Sequence, residues 1–545
     1  MFAYQPAADY IKIGSDLLAD KDEIFVEHNE LASKLYLRRA KTNLRACRTS
    51  ECRECAEAVV SHARAKEHKR GAQLVLIKSY PSDNLFGKQR EFALDVLANI
   101  GQEISYCSIK MEKTQKLILG MSDAELLALP TMADKEIEFC IECRFTPLIY
   151  VIFGQVYIAE SQDYNGGLRF IDLGLRSEYE VDLEVKSRTL VWTCMGLGCM
   201  QPISKCMYLA LDGFETGMSA GSVATAFDAA AWYLLSFYYS GLPLPSLLQD
   251  ADKFTLQMKC SLTAAIHTLE VFLIPYSLIL CREYQQYSAL SITIPLHQLL
   301  VCLSGRAASR MDDAYFRIQN LPITDDMKKN GYAALAFYKM QLHLYLGNSE
   351  TAIKIFHTIK DESVGILQGS QVYQSRQFYF ALISMSIQRQ HCKLGHKSEA
   401  KKYVDIVKKL VEGGAINLGH KYLLLEAEID SLSSKDAHQT LKKYEQAVVS
   451  SARAGFLQDG ALSSVLCARF CMGEPDLTEK ASFHMLRAHE LFTAWGATAA
   501  AESLTTKHPE LFPETANLTR KESSSLRSRP HFRETIILKH QSLRN

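Results

Sequence analysis

The chain has no surplus of either charge and little proline. Its 545 residues carry 61 basic and 61 acidic side chains, so the formal net charge is zero. Such a surface lacks the broad positive field that grips nucleic acid or anionic lipid, and neither is expected as a partner. Only 14 prolines occur, and alternating β-branched runs are scarce, which weighs against a β-rich fold. The opening MFAYQPAADYIKIGSD is polar and acidic and lacks the layout of a secretory signal. Fifteen cysteines, an odd and scattered set, read as reduced thiols, which points to the cytoplasm. The longest apolar stretch, residues 262–281, contains His267, Glu270 and Pro275. An unpaired Glu and a mid-run Pro fit a buried helix pair better than a membrane span.

Hydrophobic residues make up 48% of the chain, and they recur at steps of three and four. Ala437, Leu441, Tyr444, Val448 and Ala452 form one stripe. Tyr422, Leu425, Ile429 and Leu432 form a second, and Met485, Ala488, Phe492 and Trp495 a third. Each spacing places its residues on one face of an α-helix. Gly347, Gly395, Gly455 and Gly496 each follow such a stripe, where a helix end wants a left-handed residue. Ser434 or Asp436 is placed to cap the helix that holds Ala437.

Two segments share one frame. LGNSETAIKIF (346–356) and LGHKSEAKKYV (394–404) both run Leu-Gly, four small or polar residues, Ala, then an apolar-periodic stretch. In a helix hairpin the first inward residue of the second helix must be small, because the backbones approach there. Ala352 and Ala400 occupy that place, and Ala481 follows Gly473 in a looser version. The period is roughly 40 residues, in the range of tetratricopeptide-like solenoids.

The expected fold is therefore all-α, with antiparallel helix hairpins stacked as a tetratricopeptide-like α-solenoid. The division runs 1–125 for N-terminal helical repeats and 126–300 for a central apolar helical region. Residues 301–513 form the C-terminal repeats, and 514–545 a basic, Ser-rich disordered tail. DYNGGLRF (163–170) reads as a loop, and SGLPLPSLLQD (240–250) as the end of one helix and the start of another. A solenoid of this kind presents a concave groove suited to a partner helix or extended peptide.

Candidate chemistry is thin. GMSAG (217–221) has the spacing of a nucleophile elbow with Ser219 as nucleophile, but no strand leads into it. An inter-helix turn, with Gly217 ending one helix and Ser219 capping the next, fits the context better. Cys52 with Cys55, and Cys140 with Cys143, are separated C-x-x-C pairs. Cys47, His62 and His68 lie near the first, yet four converging ligands are not evident. His391 and His396 stand five apart, off the spacing of a helical metal site. MGLGCM (195–200) lacks the strand and third glycine of a dinucleotide fingerprint and suits a helix crossing. The aromatics fall on apolar faces, so they read as core. No catalytic, cofactor-binding or metal residue is assigned, and no cofactor is expected.

Three C-terminal segments follow one another in a familiar order: INLGHKYLLLEAEIDSL (416–432), KKYEQAVVSSARAGFLQDGALSSVLCARFC (442–471) and LRAHELFTAWGATAAAESLTTKHPELF (486–512). LALDGFETGMSAGSVATA and YYSGLPLPSLLQD echo the same pattern. Together they resemble the helical-repeat region of STAND-type multidomain signalling ATPases, which include kinase–ATPase fusions and multi-sensor hybrid histidine kinases. The P-loop, kinase catalytic-loop and histidine-kinase signatures of that family do not occur in this sequence, so no catalytic position carries over. The resemblance implies a non-catalytic interaction scaffold or regulatory arm. Its partners would be proteins, a kinase or ATPase module among them. The alternatives are a fragment of a signalling ATPase whose P-loop module lies upstream, and a helical hydrolase using Ser219.

Overall fold

A computed structural model describes residues 4–16, 21–45, 48–79, 147–161, 163–176, 183–259, 287–306, 311–321, 325–361, 370–391, 394–433 and 436–512. They form twenty-two α-helices, three short 3-10 turns and, among the described residues, no strand. The N-terminal helices are α1 (Tyr4–Asp16), α2 (Lys21–Glu27), α3 (Asn29–Arg45), α4 (Thr49–His62) and α5 (Lys66–Ser79). The next group is α6 (Pro147–Ser161), α7 (Tyr164–Arg176), α8 (Leu183–Met200), α9 (Ile203–Ala220), α10 (Val223–Ser240) and α11 (Leu244–Lys259). Then come α12 (Tyr287–Leu303), α13 (Met311–Gln319), α14 (Asp325–Tyr345), α15 (Ser349–Ile359), α16 (Gln371–His391) and α17 (Leu394–Glu412). The last five are α18 (Gly419–Ser433), α19 (Ala437–Ala454), α20 (Leu457–Met472), α21 (Thr478–Trp495) and α22 (Thr498–Lys507).

Sequential helices pair: α6 with α7, α8 with α9, α16 with α17, α18 with α19, and α20 with α21. First helices of successive hairpins also touch, α6 with α8, α8 with α10, and α16 with α18. This two-level packing defines a solenoid, in which neighbouring hairpins complete one another's core. Helices α2–α5 bury a cluster running from Ile24 to Leu76. One continuous buried cluster runs from Val151 to Phe512 and crosses position 300 without a break. The apolar stretch 262–281, Cys47, Cys140, Cys143, Ser434 and the tail from 514 lie outside the described residues.

The hairpin grammar is visible at the turns. Gly455 (φ +81°) and Gly496 (φ +90°) close α19 and α21 in the left-handed region, and Gly347 (φ +68°) follows α14. A side chain is strained in that region, which is why glycine stands there. Asp436 accepts a hydrogen bond from the Gln439 amide at 3.0 Å and caps α19. Ala352, Ala400 and Ala481 are buried.

Several expectations need correction. Gly395 does not end a helix; it falls in the first turn of α17, because nothing in LGHKS forces the backbone out of the helical region. Gly473 follows α20 with right-handed geometry (φ −81°). DYNGGLRF is not a loop but the start of α7, with the Gly166 amide donating to Asp163 at 3.0 Å. Its glycines serve a crossing: a Cβ on Gly167 would sit 2.7 Å from the Gly154 carbonyl oxygen of α6. Gly217 and Ser219 both lie inside α9; the left-handed turn residue is Gly221. On α18 the stripe is displaced, since Ile429 is exposed while His420, Lys421 and Glu428 are buried.

The inner face of the C-terminal array is not an open groove. Helix α10, with fourteen of eighteen residues buried, lies against it. Its Tyr238 hydroxyl donates to Gln341 of α14 at 2.8 Å, and its Ser236 accepts from Gln371 of α16 at 2.8 Å. Gln458 of α20 donates to the Tyr239 carbonyl at 3.2 Å, and Tyr238 packs 6.1 Å from Trp495 of α21. Asn417 donates to the carbonyls of Gly198 (3.0 Å) and Gln201 (2.8 Å) at the end of α8. The chain's own helices fill the space that an unaccompanied solenoid would leave concave.

Candidate functional site

A polar hub lies where α10 meets α14, α16, α20 and α21, with the start of α18 packed against α16 and α20. The first turn of α18 turns His420 and Lys421 inward, and the first turn of α20 supplies Asp459. His420 Nε2 sits 2.7 Å from Asp459 Oδ2, and Lys421 Nζ 3.2 Å from the same oxygen. The side chains are 2%, 5% and 1% exposed. The His420 ring stacks on Phe456 at 4.4 Å, and the Lys421 ammonium lies 5.2 Å from the Phe378 ring centroid. Nearby, the Tyr345 and Tyr379 hydroxyls share a hydrogen bond of 2.5 Å.

Charge is balanced inside this hub. Burial holds His420 below the usual imidazole range, more than the pull of Asp459 can offset. It is therefore neutral near pH 7 and donates from Nε2. Burial alone would raise the Asp459 carboxyl, but Lys421 and then His420 outweigh it and hold it low. One carboxylate faces one ammonium and one neutral donor. This arrangement ties α18 to α20 in the interior, where breaking one partner would leave an uncompensated charge. A second network stands beside it: the Tyr444 hydroxyl donates to buried Glu428 at 2.6 Å, and Arg389 donates to the same carboxylate at 3.0 Å.

Of these residues the sequence singles out only Tyr444, and that as an apolar stripe position. Periodicity scores apolar positions, and a charged core residue registers as noise in the stripe. The usable signal was a His-Lys pair in INLGHKYLLLEAEID at positions that face the interior.

The positions that were singled out lie apart. The Ser219 hydroxyl is exposed on α9 and donates to the Glu215 carbonyl at 2.8 Å. Cys52 and Cys55 share the buried face of α4, and burial, then Cys55, pushes the Cys52 thiol up to about 12. A thiol so placed is a core residue more than a ready thiolate. His62 Nδ1 donates to the Ala58 carbonyl (3.0 Å), and the ring stacks on Phe25. Among the described residues, no three His, Cys, Asp or Glu side chains are grouped to hold a metal ion. His391 ends α16 and His396 lies in the first turn of α17. MGLGCM forms the last turns of α8; a Cβ on Gly196 would meet Ile171 of α7 at 2.5 Å.

On the outer face, Lys442, Glu445, Gln446, Val449, Ser450, Arg453 and Ala454 of α19 line a shallow depression of about 650 Å³. Lys480 of α21 pairs with Glu445 at 2.9 Å. Val449, Phe483 and Leu486 are exposed apolar side chains on these two helices. No helix of the described residues is long and apolar enough to cross a membrane. Comparison with protein-family models and with curated proteins finds no match.

Proposed function

We propose that the chain is a protein–protein interaction scaffold, the helical-repeat arm of a signal-transduction ATPase or kinase system working in the cytoplasm. One observation carries this reading. The inner helices are sealed by α8 and α10, while the outer helices α19 and α21 keep Val449, Phe483 and Leu486 in solvent. Exposed apolar side chains rimmed by the Lys480–Glu445 pair have the character of an interface core with a polar rim. On this reading the partner docks on the outer face, and not in the concave groove expected from the sequence. The resemblance of segments 416–432, 442–471 and 486–512 to signalling-ATPase repeats supports a kinase or ATPase module as partner.

The test is quantitative capture by the full chain, compared with Val449→Asp/Phe483→Asp/Leu486→Asp. The expected result is loss of specific partners, P-loop or kinase proteins among them, with the thermal midpoint unchanged. Identical capture profiles would count against the surface. Retained partners of unrelated type would count against the signalling assignment.

A further inference from the structure

The α14–α15 turn that introduced the repeated frame also gathers positive charge. A Cβ built on Gly347 would lie 2.9 Å from Arg469 Nη2 and 3.4 Å from Lys507 Nζ. Both cations, from α20 and α22, therefore share one small volume over the turn. Lys507 donates to two neutral acceptors, the Leu346 carbonyl at 2.7 Å and Asn348 Oδ1 at 2.6 Å. Among the described residues, the half-buried Arg469 guanidinium has no hydrogen-bond or ion-pair partner. The carboxylate that acts on it is Glu428, already held by Arg389 and Tyr444. Glu350, in the first turn of α15, pairs with neither cation. Burial, and after it the Arg469 charge, hold the Lys507 ammonium below the usual lysine range.

The Leu346, Gly347 and Asn348 amides are already bonded to carbonyls of α14, so the amide donors that face outward here are those of the first turn of α15. Asn348 stands at the N-cap of the eleven-residue α15 but makes no side-chain cap; its oxygen is turned to Lys507 instead. The first-turn amides thus lack the side-chain acceptor that usually serves them, beside the positive end of the helix dipole. A planar fork, a point charge and helix N–H groups around one space are the donor set of a tetrahedral dianion. A monoanionic carboxylate would use the fork alone.

We propose that Arg469, Lys507 and the first-turn amides of α15 form a binding site for a phosphate-class oxyanion, supplied as a free phosphate or as a phosphorylated side chain. The site stands whether or not the scaffold reading holds.

The test uses the full chain, with calorimetric titration of inorganic phosphate against sodium chloride at matched ionic strength. Saturable binding of phosphate is expected. Lys507→Gln should weaken it about tenfold or more, the scale of one charge-assisted hydrogen bond. Lys507 is exposed, so this variant does not put folding at risk. Arg469→Gln should do the same, and Arg469→Lys should be intermediate, because it keeps the charge and loses the fork. A phosphoserine peptide that binds more tightly than inorganic phosphate, with its unphosphorylated form inert, identifies a side-chain source; phosphate alone identifies a free anion. Phosphate binding no better than chloride, or unchanged in Lys507→Gln, overturns the proposal.

Discussion

At the scale of single residues, the interior charge of α18 and α20 decides most. Asp459→Asn removes the carboxylate and leaves the Lys421 ammonium buried without its counter-charge. The expected loss is about 3–5 kcal/mol in urea unfolding. Lys421→Met with Asp459→Leu should cost less than the two single changes together, since the pair vanishes as a unit. A single-variant loss below about 1 kcal/mol, the range of an exposed pair, would contradict the buried network. His420 gives a pH signature. Its folded pKa is depressed by burial, so the unfolded chain takes up a proton near pH 6.5 that the folded chain refuses. Stability is intact above that value and falls as pH drops from it toward the folded pKa, by at most about 1.4 kcal/mol per unit. His343, His484 and His489 are depressed by burial in the same direction. His420→Gln should therefore flatten the slope by one proton and not abolish it. An unchanged slope would mean that His420 is solvated.

At the scale of elements, two glycines in similar sequence settings should respond oppositely. Gly167→Ala thrusts a Cβ toward the Gly154 carbonyl and the Ile158 side chain across the α6–α7 crossing. Backbone cannot yield as a flexible side chain can, and a loss of about 1–3 kcal/mol is expected. Gly419 begins α18 with right-handed φ and has nothing within 4 Å of a built Cβ. Gly419→Ala should raise stability by about 0.4–1 kcal/mol through the unfolded chain. Thermal or denaturant midpoints of the two variants decide both, and equal effects would refute the crossing. These cases also mark what was legible. The 3.6-residue rhythm of Met485, Ala488, Phe492 and Trp495 announced a helix and its buried face, and Ala352, Ala400 and Ala481 are buried as inward positions. Gly166 and Gly167 misled because a pair of glycines is spelled alike in a loop and in a helix crossing. The distinction lies in the partner, Gly154, and not in local sequence.

At the scale of the whole molecule, the all-α class followed from periodicity, whereas the filled interior did not. Asn417 reaches Gly198, and Gln458 reaches Tyr239, across more than two hundred residues. Single polar side chains binding distant carbonyls leave no repeat in the sequence. Asn417→Ala should cost about 1–3 kcal/mol, because a buried and a half-buried carbonyl lose their donor; double-mutant coupling to the end of α8 would localise the effect. Helices α10 and α20 are interior, wrapped by the array and not lining an open groove. Amide hydrogen exchange of the full chain tests this placement most directly. Val223–Ser240 and Leu457–Met472 are expected to exchange slowest, and to open together. Fast exchange along either helix, at the rate of the outer face of α19, would contradict it.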